Sequence, residues 1–179
     1  MSSYYDMLLT DNKPPSVNKR LMMSTSQNKS IDSLSQPLVR RATAEEIWPL
    51  RHEVLRAGLS FETAKFDGDL DDTTRHFGTF ADRNVLCCLS LFQSTWNDSD
   101  AWQLRGMATT ATHQRQGIGQ LLLMFAIDAA RQEKPSWPFW CNARTTAIGF
   151  YEQAGWATKT DIFDIPTAGP HVKMHFVAP

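Results

Sequence analysis

The sequence has little cysteine, no excess of charge of either sign and no long apolar run. Cysteine occurs only at Cys87, Cys88 and Cys141. Three thiols make no disulfide framework and show no Cys/His ligand spacing. A stapled secreted scaffold and a zinc site are set aside, and a reducing cytoplasm is the default compartment. Small buried hydrophobes are the expected role for all three, with Cys87 and Cys88 on opposite faces of a strand. A formal net charge of -1 over 179 residues offers no basic face for nucleic acid. The longest fully apolar run, Leu121 to Ile127, falls short of the roughly 20 residues of a membrane helix. The N-terminal stretch lacks the charged-then-apolar layout of a signal peptide. A soluble cytoplasmic protein with no nucleic-acid or membrane partner is the expectation.

What is present is ordinary globular material. Hydrophobic residues make up 42% and charged residues 21%, enough for a sizeable core in one domain. Residues 1–37 stand apart. They are rich in Ser, Asn, Lys and Gln, include Pro14, Pro15 and Pro37, and keep no apolar period, so they read as a disordered tail. The domain is expected over 38–179.

The spacing predicts a strand over Leu38–Ala42. A capping box at Thr43–Glu46 then opens a helix with Ile47, Leu50, Val54 and Leu55 on one face, Pro49 near its start and Gly58 past its end. Leu59–Asp72 reads as a long acidic loop. Strands are expected at His76–Phe80, Val85–Phe92 and Trp102–Ala108, with "STWNDSD" as a break. A helix follows from Gly117 to Lys134, with Ile118, Leu121, Leu122, Phe125 and Ala129 on one face and Leu123, Met124 and Ile127 widening it. Then come a strand at Phe139–Ala143, a short helix at Thr146–Ala154, and strands at Ala157–Ile165 and His171–Val177. A strand–helix–strand unit inside antiparallel pairs makes the class mixed α/β, with a mixed, mostly antiparallel central sheet.

Gly117 and Gly119 stand where the long helix begins. Glycine weakens a helix, so its presence there wants a reason. A helix N-terminus offers unpaired N–H groups and positive potential, and glycine lets a phosphate approach the backbone. The P-loop pattern fails, because no Lys-Ser/Thr pair follows. The dinucleotide pattern fails, because Leu122 stands where its third glycine belongs.

Gln114-Arg115-Gln116-Gly117-Ile118-Gly119 resembles the Q/R-x-x-G-x-G/A signature of the GNAT N-acetyltransferases. Ala147 to Trp156, "AIGFYEQAGW", resembles that family's A-x-x-x-Y-x-x-x-G-F segment. The resemblance covers about 38–179 and implies the acyl-CoA N-acyltransferase fold with a β-α-β acyl-CoA-binding core. It also implies an enzyme that moves the acetyl group of acetyl-CoA, its acyl-donor substrate, to an amine. Backbone N–H groups of Arg115 to Gln120 would hold the pyrophosphate, with Gln114, Arg115, Gln116, Gly117, Ile118, Gly119 and Gln120 forming the loop. Met107, Ala108 and Thr109 would pair with the pantetheine arm, and Met107 or Ala108 N–H would polarise the thioester carbonyl. Tyr151 would protonate the leaving thiolate. Two departures stand out: Arg144 occupies the position of a family Asn, and Asn142 lies two residues earlier as its substitute. The general base is left among Glu62, Asp67, Asp69, His76, His171 or a held water. A small-molecule primary amine is the expected acceptor, attacked directly in a ternary complex. Peptide N-termini and a non-catalytic acyl-CoA sensor are the alternatives, and a homodimer is left open.

Overall fold

The computed structural model describes residues 37–177. The tail expected over 1–37 therefore lies, but for Pro37, outside the described residues. Strand β1 (Leu38–Ala42) leads into helix α1 (Ala44–Leu55). The capping box forms as read: Glu46 N donates to Thr43 Oγ1 at 3.3 Å, and Thr43 N donates to Glu46 Oε2 at 2.9 Å. The helix runs through Pro49, whose missing N–H leaves the Glu45 carbonyl without its intrahelical donor.

After a 3-10 turn at Phe61–Ala64 come β2 (Arg75–Ala81), β3 (Asn84–Trp96) and β4 (Ser99–Thr109). The stretch read as a break is a tight hairpin instead. Trp96 pairs with Ser99, and Asn97 and Asp98 both take positive φ, 49° and 61°. That is the two-residue turn whose twist matches the strands, and short polar side chains tolerate it. Both strands therefore extend several residues beyond expectation.

Helix α2 (Ile118–Glu133) crosses to β5 (Phe139–Arg144), followed by helix α3 (Ile148–Gln153) and strands β6 (Trp156–Thr158), β7 (Phe163–Ile165) and β8 (Gly169–Phe176). The single strand expected over Ala157–Ile165 is split into β6 and β7. Thr160 explains the gap: its hydroxyl accepts from Lys173 N at 2.9 Å, occupying a donor that a continuous ladder would use.

The sheet order is β1-β2-β3-β4-β5-β8-β6, with β7 also on β8. Every pairing is antiparallel except β4 with β5. This is the mixed, mostly antiparallel sheet read from the sequence. Helix α2 covers one face, where Leu122, Leu123, Ala126, Ile127 and Ala130 pack with Phe77, Leu89, Leu91 and Trp102. Its buried stripe is rotated from the expected one, and Leu121 stays half exposed. The run Leu121–Ile127 carries no polar residue to fix the phase; Ala126 and Ala130 turn inward, as small residues that let the helix approach the sheet. Helix α1 covers the opposite face through Ile47 and Leu50, which pack with Cys88 and Ala108. Cys87 belongs to the α2-side cluster and Cys88 to the α1-side cluster, the opposition read from their adjacency.

Candidate active site

The site arises where β4 and β5 separate. Their pairing spans Trp102–Phe139, Gln103–Trp140 and Leu104–Cys141 and then stops. Beyond it, Arg105–Thr109 keep β3 on one edge and have no β5 pairing on the other. A bulge sits at the divergence. Ser90 pairs with Arg105 and Cys88 with Ala108, so Gly106 and Met107 together stand opposite Leu89. Only glycine fits there. Gly106 has φ +61°, and a Cβ on it would lie 2.6 Å from Arg51 Nε.

The gap opens a cleft of about 1140 Å³, lined by Met107, Ala108, Thr109, Gln114, Arg115, Gly117, Gly119, Gln120, Asn142, Arg144 and Tyr151. Of the residues named from the sequence, Gln116 and Ile118 do not line it. Gln116 props the loop through Nε2 to Thr112 O at 2.8 Å, and Ile118 packs on the core. Gln114 likewise ties the loop to β4, donating to Thr109 O at 3.2 Å.

The loop turns through left-handed conformations at Arg115 (φ 59°) and Gly117 (φ 82°). No side chain caps α2, and its first turn carries no acid, so the leading N–H groups face the cleft mouth without a protein acceptor from a cap. Gly119 is informative. Its φ is ordinary, and a Cβ there would find Met107 Cε and Phe150 no nearer than 3.5 Å. Neither backbone strain nor a clash demands glycine at 119, where a Cβ would make ordinary contacts with Met107, Phe150 and Thr109; on Gly117 a Cβ would meet nothing within 4 Å.

Tyr151 sits on α3, 6% exposed, against Phe150 and Trp156. Its hydroxyl donates to Met107 Sδ at 3.8 Å, and Cys141 lies close enough to act on it electrostatically. Both neighbours are sulfur, a weak acceptor. Burial drives its pKa well above the ordinary phenol value, so it holds its proton. Asn142 Oδ1 is buried in the same wall and has no hydrogen-bond partner. Burial also raises the thiols, Cys87 to about 11 and Cys88 to about 12, and Cys141 higher still.

Among the base candidates only His171 lines the cleft. Its Nδ1 donates to Gly169 O at 2.7 Å, which in the neutral ring leaves Nε2 as the acceptor. Asp69 is instead locked to Arg51 at 2.5 Å and also accepts from Trp48 Nε1 and Phe66 N, both at 2.8 Å. His76 is buried with both nitrogens occupied: Nε2 donates to Asp69 O and Nδ1 accepts from Ser90 Oγ, each at 2.7 Å. Arg51 Nη2 completes the chain by donating to Ser90 Oγ at 2.7 Å. Burial lowers the His76 pKa, keeping it neutral beside the Arg51 cation. Glu62 and Asp67 are exposed outside the cleft lining.

Sequence reasoning missed Arg56, His113, Phe66 and Phe150, all cleft-lining. It also passed over Arg51, a cation in the Ile47–Leu50–Val54 stripe.

Residues 40–156 match the Acetyltransferase (GNAT) family. The chain belongs to that family. It is 31% identical over 140 residues to the uncharacterized N-acetyltransferase YitI of Bacillus subtilis, covering 76% of this chain and 93% of that one. Among solved structures, an acyl-CoA N-acyltransferase from Pseudomonas aeruginosa superposes with TM-score 0.61 at 16% identity, over 79% of this chain and all of that one. An aminoglycoside 6'-N-acetyltransferase complexed with coenzyme A gives 0.61 at 8% identity, over 79% and 98%. These two likenesses show the acyl-CoA N-acyltransferase fold. The family makes the chain an acyltransferase of the N-acetyltransferase class, acting on a CoA-linked acyl donor and an acceptor. Among the described residues no helix is long and apolar enough to cross a membrane.

Proposed function

We propose that the protein transfers the acetyl group of acetyl-CoA to the primary amine of a small molecule, by direct attack while both substrates are bound. The observation that carries this reading is the β4–β5 separation, with the uncapped glycine loop at one end and an unpaired strand edge along one wall.

In this reading the pyrophosphate lies on the N–H groups from Arg115 to Gln120, beside Gly117, where nothing stands within 4 Å of the Cβ position. The pantetheine arm runs beside Met107–Thr109 as a strand would, and Asn142 Oδ1 accepts an amide N–H of that arm. The thioester reaches the bulge, where Met107 or Ala108 N–H stabilises the developing oxyanion. A free alkylamine has a pKa near ~10 and must be neutral to attack. His171 Nε2, directly or through water, takes the amine proton. The amine nitrogen bonds the acyl carbon, the carbon–sulfur bond breaks, and the sulfur takes the Tyr151 proton. Solvent then restores both side chains.

The test is Tyr151→Phe in steady-state and binding assays. A fall in kcat of about 10²-fold or more with acetyl-CoA affinity unchanged is expected of a proton donor. Full turnover in that variant would remove Tyr151 from the chemistry. Acetyl-CoA titration by calorimetry, with micromolar affinity expected, tests the donor site itself; a folded sample that shows no binding defeats the whole reading.

A further inference from the structure

The cleft is lined by arginine and by no carboxylate. Arg56, Arg105 and Arg144 all line it, each half buried, and no Asp or Glu of the described residues shares the lining. None of the three has an ion-pair partner among the described residues. Their hydrogen-bond partners are main-chain carbonyls. Arg56 Nη1 and Arg144 Nη2 converge on one oxygen, Leu55 O, at 3.0 and 3.1 Å. Arg56 Nε reaches Thr63 O at 3.3 Å, and Arg105 Nη1 reaches Asp67 O at 3.3 Å. Two guanidinium groups on a single carbonyl repel each other, and a carbonyl supplies only part of a negative charge. The C-terminal dipole of α1 adds a little more.

These cations sit apart from the glycine loop. Arg105 stacks over Phe66 and Phe92, and Arg56 follows the last turn of α1. Arg144 ends β5 and pairs with His171 on β8. Arg56 and Arg144 thus meet at the C-terminal end of α1, and Arg56 and Arg105 share the Phe66 ring, whereas Gly117 and Gly119 open α2, which covers the opposite face. Burial lowers the Arg56 pKa first, and then Arg144 and Arg51 lower it further, as expected of crowded like charges. Burial also lowers the Arg105 pKa, against the pull of Asp69 and Asp67; Asp69 is itself committed to Arg51, and Asp67 is exposed outside the lining.

We infer that the acceptor is an amine carrying a carboxylate a few bonds from its nitrogen, a short amino acid, whose acid group is held by Arg56, Arg105 and Arg144. This deepens the acetyl-transfer reading and rests on it. A planar carboxylate matches the guanidinium fork and supplies the ion pair that none of the three makes within the described residues. A polycation such as a polyamine or an aminoglycoside would meet only like charge there. The arginines also favour the neutral form of an amine beside them, which is the attacking form.

The test is a coupled assay of CoA release with purified protein. Acceptors are the free L-amino acids, their carboxamides, spermidine and an aminoglycoside. At least one free acid should exceed its own carboxamide about tenfold or more in kcat/KM, with the polycations inert. Arg105→Gln and, separately, Arg56→Gln should raise KM for the acid at least about tenfold more than for the carboxamide, and Arg105→Lys should recover part of the loss. A carboxamide or polycation accepted as well as the acids overturns the inference. So does the absence of any accepted acid while calorimetry still shows acetyl-CoA binding. Loss of acetyl-CoA binding itself instead brings down the transfer reading, and the inference with it.

Discussion

The two faces of the sheet are closed in opposite ways. On the α2 face, Leu122, Ile127, Leu89 and Phe77 form an apolar layer that spreads its stabilisation over many contacts. On the α1 face, one buried cation, Arg51, gathers Asp69, Ser90 and the Ala64 carbonyl beneath the bulge at Gly106. An apolar layer yields by degrees when trimmed. A buried ion pair fails as a unit, because removing one partner leaves the other charged and dry. The second kind of closure ties the loop over 59–74 to α1 and β3 through Arg51, Asp69 and Ser90, and Phe66 of that loop lines the cleft.

The sharpest way to break the contrast is Asp69→Ala. It should cost about 3–5 kcal/mol in urea unfolding, and the paired change Arg51→Met with Asp69→Leu should cost less than either single change. A loss below about 1 kcal/mol for Asp69→Ala would deny the pair its role. Next comes Ile127→Val on the apolar face, at about 0.5–1.5 kcal/mol and without loss of cooperativity. A third measurement uses acidity. His76 has a folded-state pKa below its unfolded value of about 6.5, because of burial, so its contribution is complete above that pH. It fades as pH falls from there toward the folded-state value. Stability of the parent should therefore decline faster below pH ~6.5 than that of His76→Gln, and parallel curves would contradict this. Smallest in stability is Gly119→Ala, expected within about 0.5 kcal/mol, since a Cβ there meets nothing closer than 3.5 Å. Its effect should surface in donor affinity, weakened about tenfold; unchanged affinity would detach Gly119 from the donor.

This contrast also explains what the sequence let one read. The glycine loop and the Tyr151 segment are local demands of chain geometry, written in adjacent residues, and they led to the family. The Thr43 capping box was legible for the same reason. The α1-face network was not, because Arg51 and Asp69 meet only after the chain has folded a loop back over a helix. One signal was available: a cation at helical spacing among Ile47, Leu50 and Val54 has to be either paired or misplaced. The split of β6 from β7 turned on one hydroxyl, Thr160, and the long β3–β4 hairpin on Asn97 and Asp98 accepting left-handed backbone. Neither choice shows in apolar periodicity. Similarly, the rotation of α2 could not be seen in seven consecutive apolar residues.

The three cysteines have a chemical consequence of their own. Each touches a cleft-lining residue: Cys87 bonds Thr109, Cys88 faces Gly106 O, and Cys141 meets Tyr151. A thioester exchanges with thiolates, not with thiols. With ionisation pushed to about 11 at Cys87 and about 12 at Cys88, and beyond that at Cys141, almost no thiolate exists near neutrality. The three thiols stand behind the lining residues, buried and protonated, so they offer an activated acyl group in the cleft no nucleophile. Burial thereby keeps all three thiols inert toward acylation.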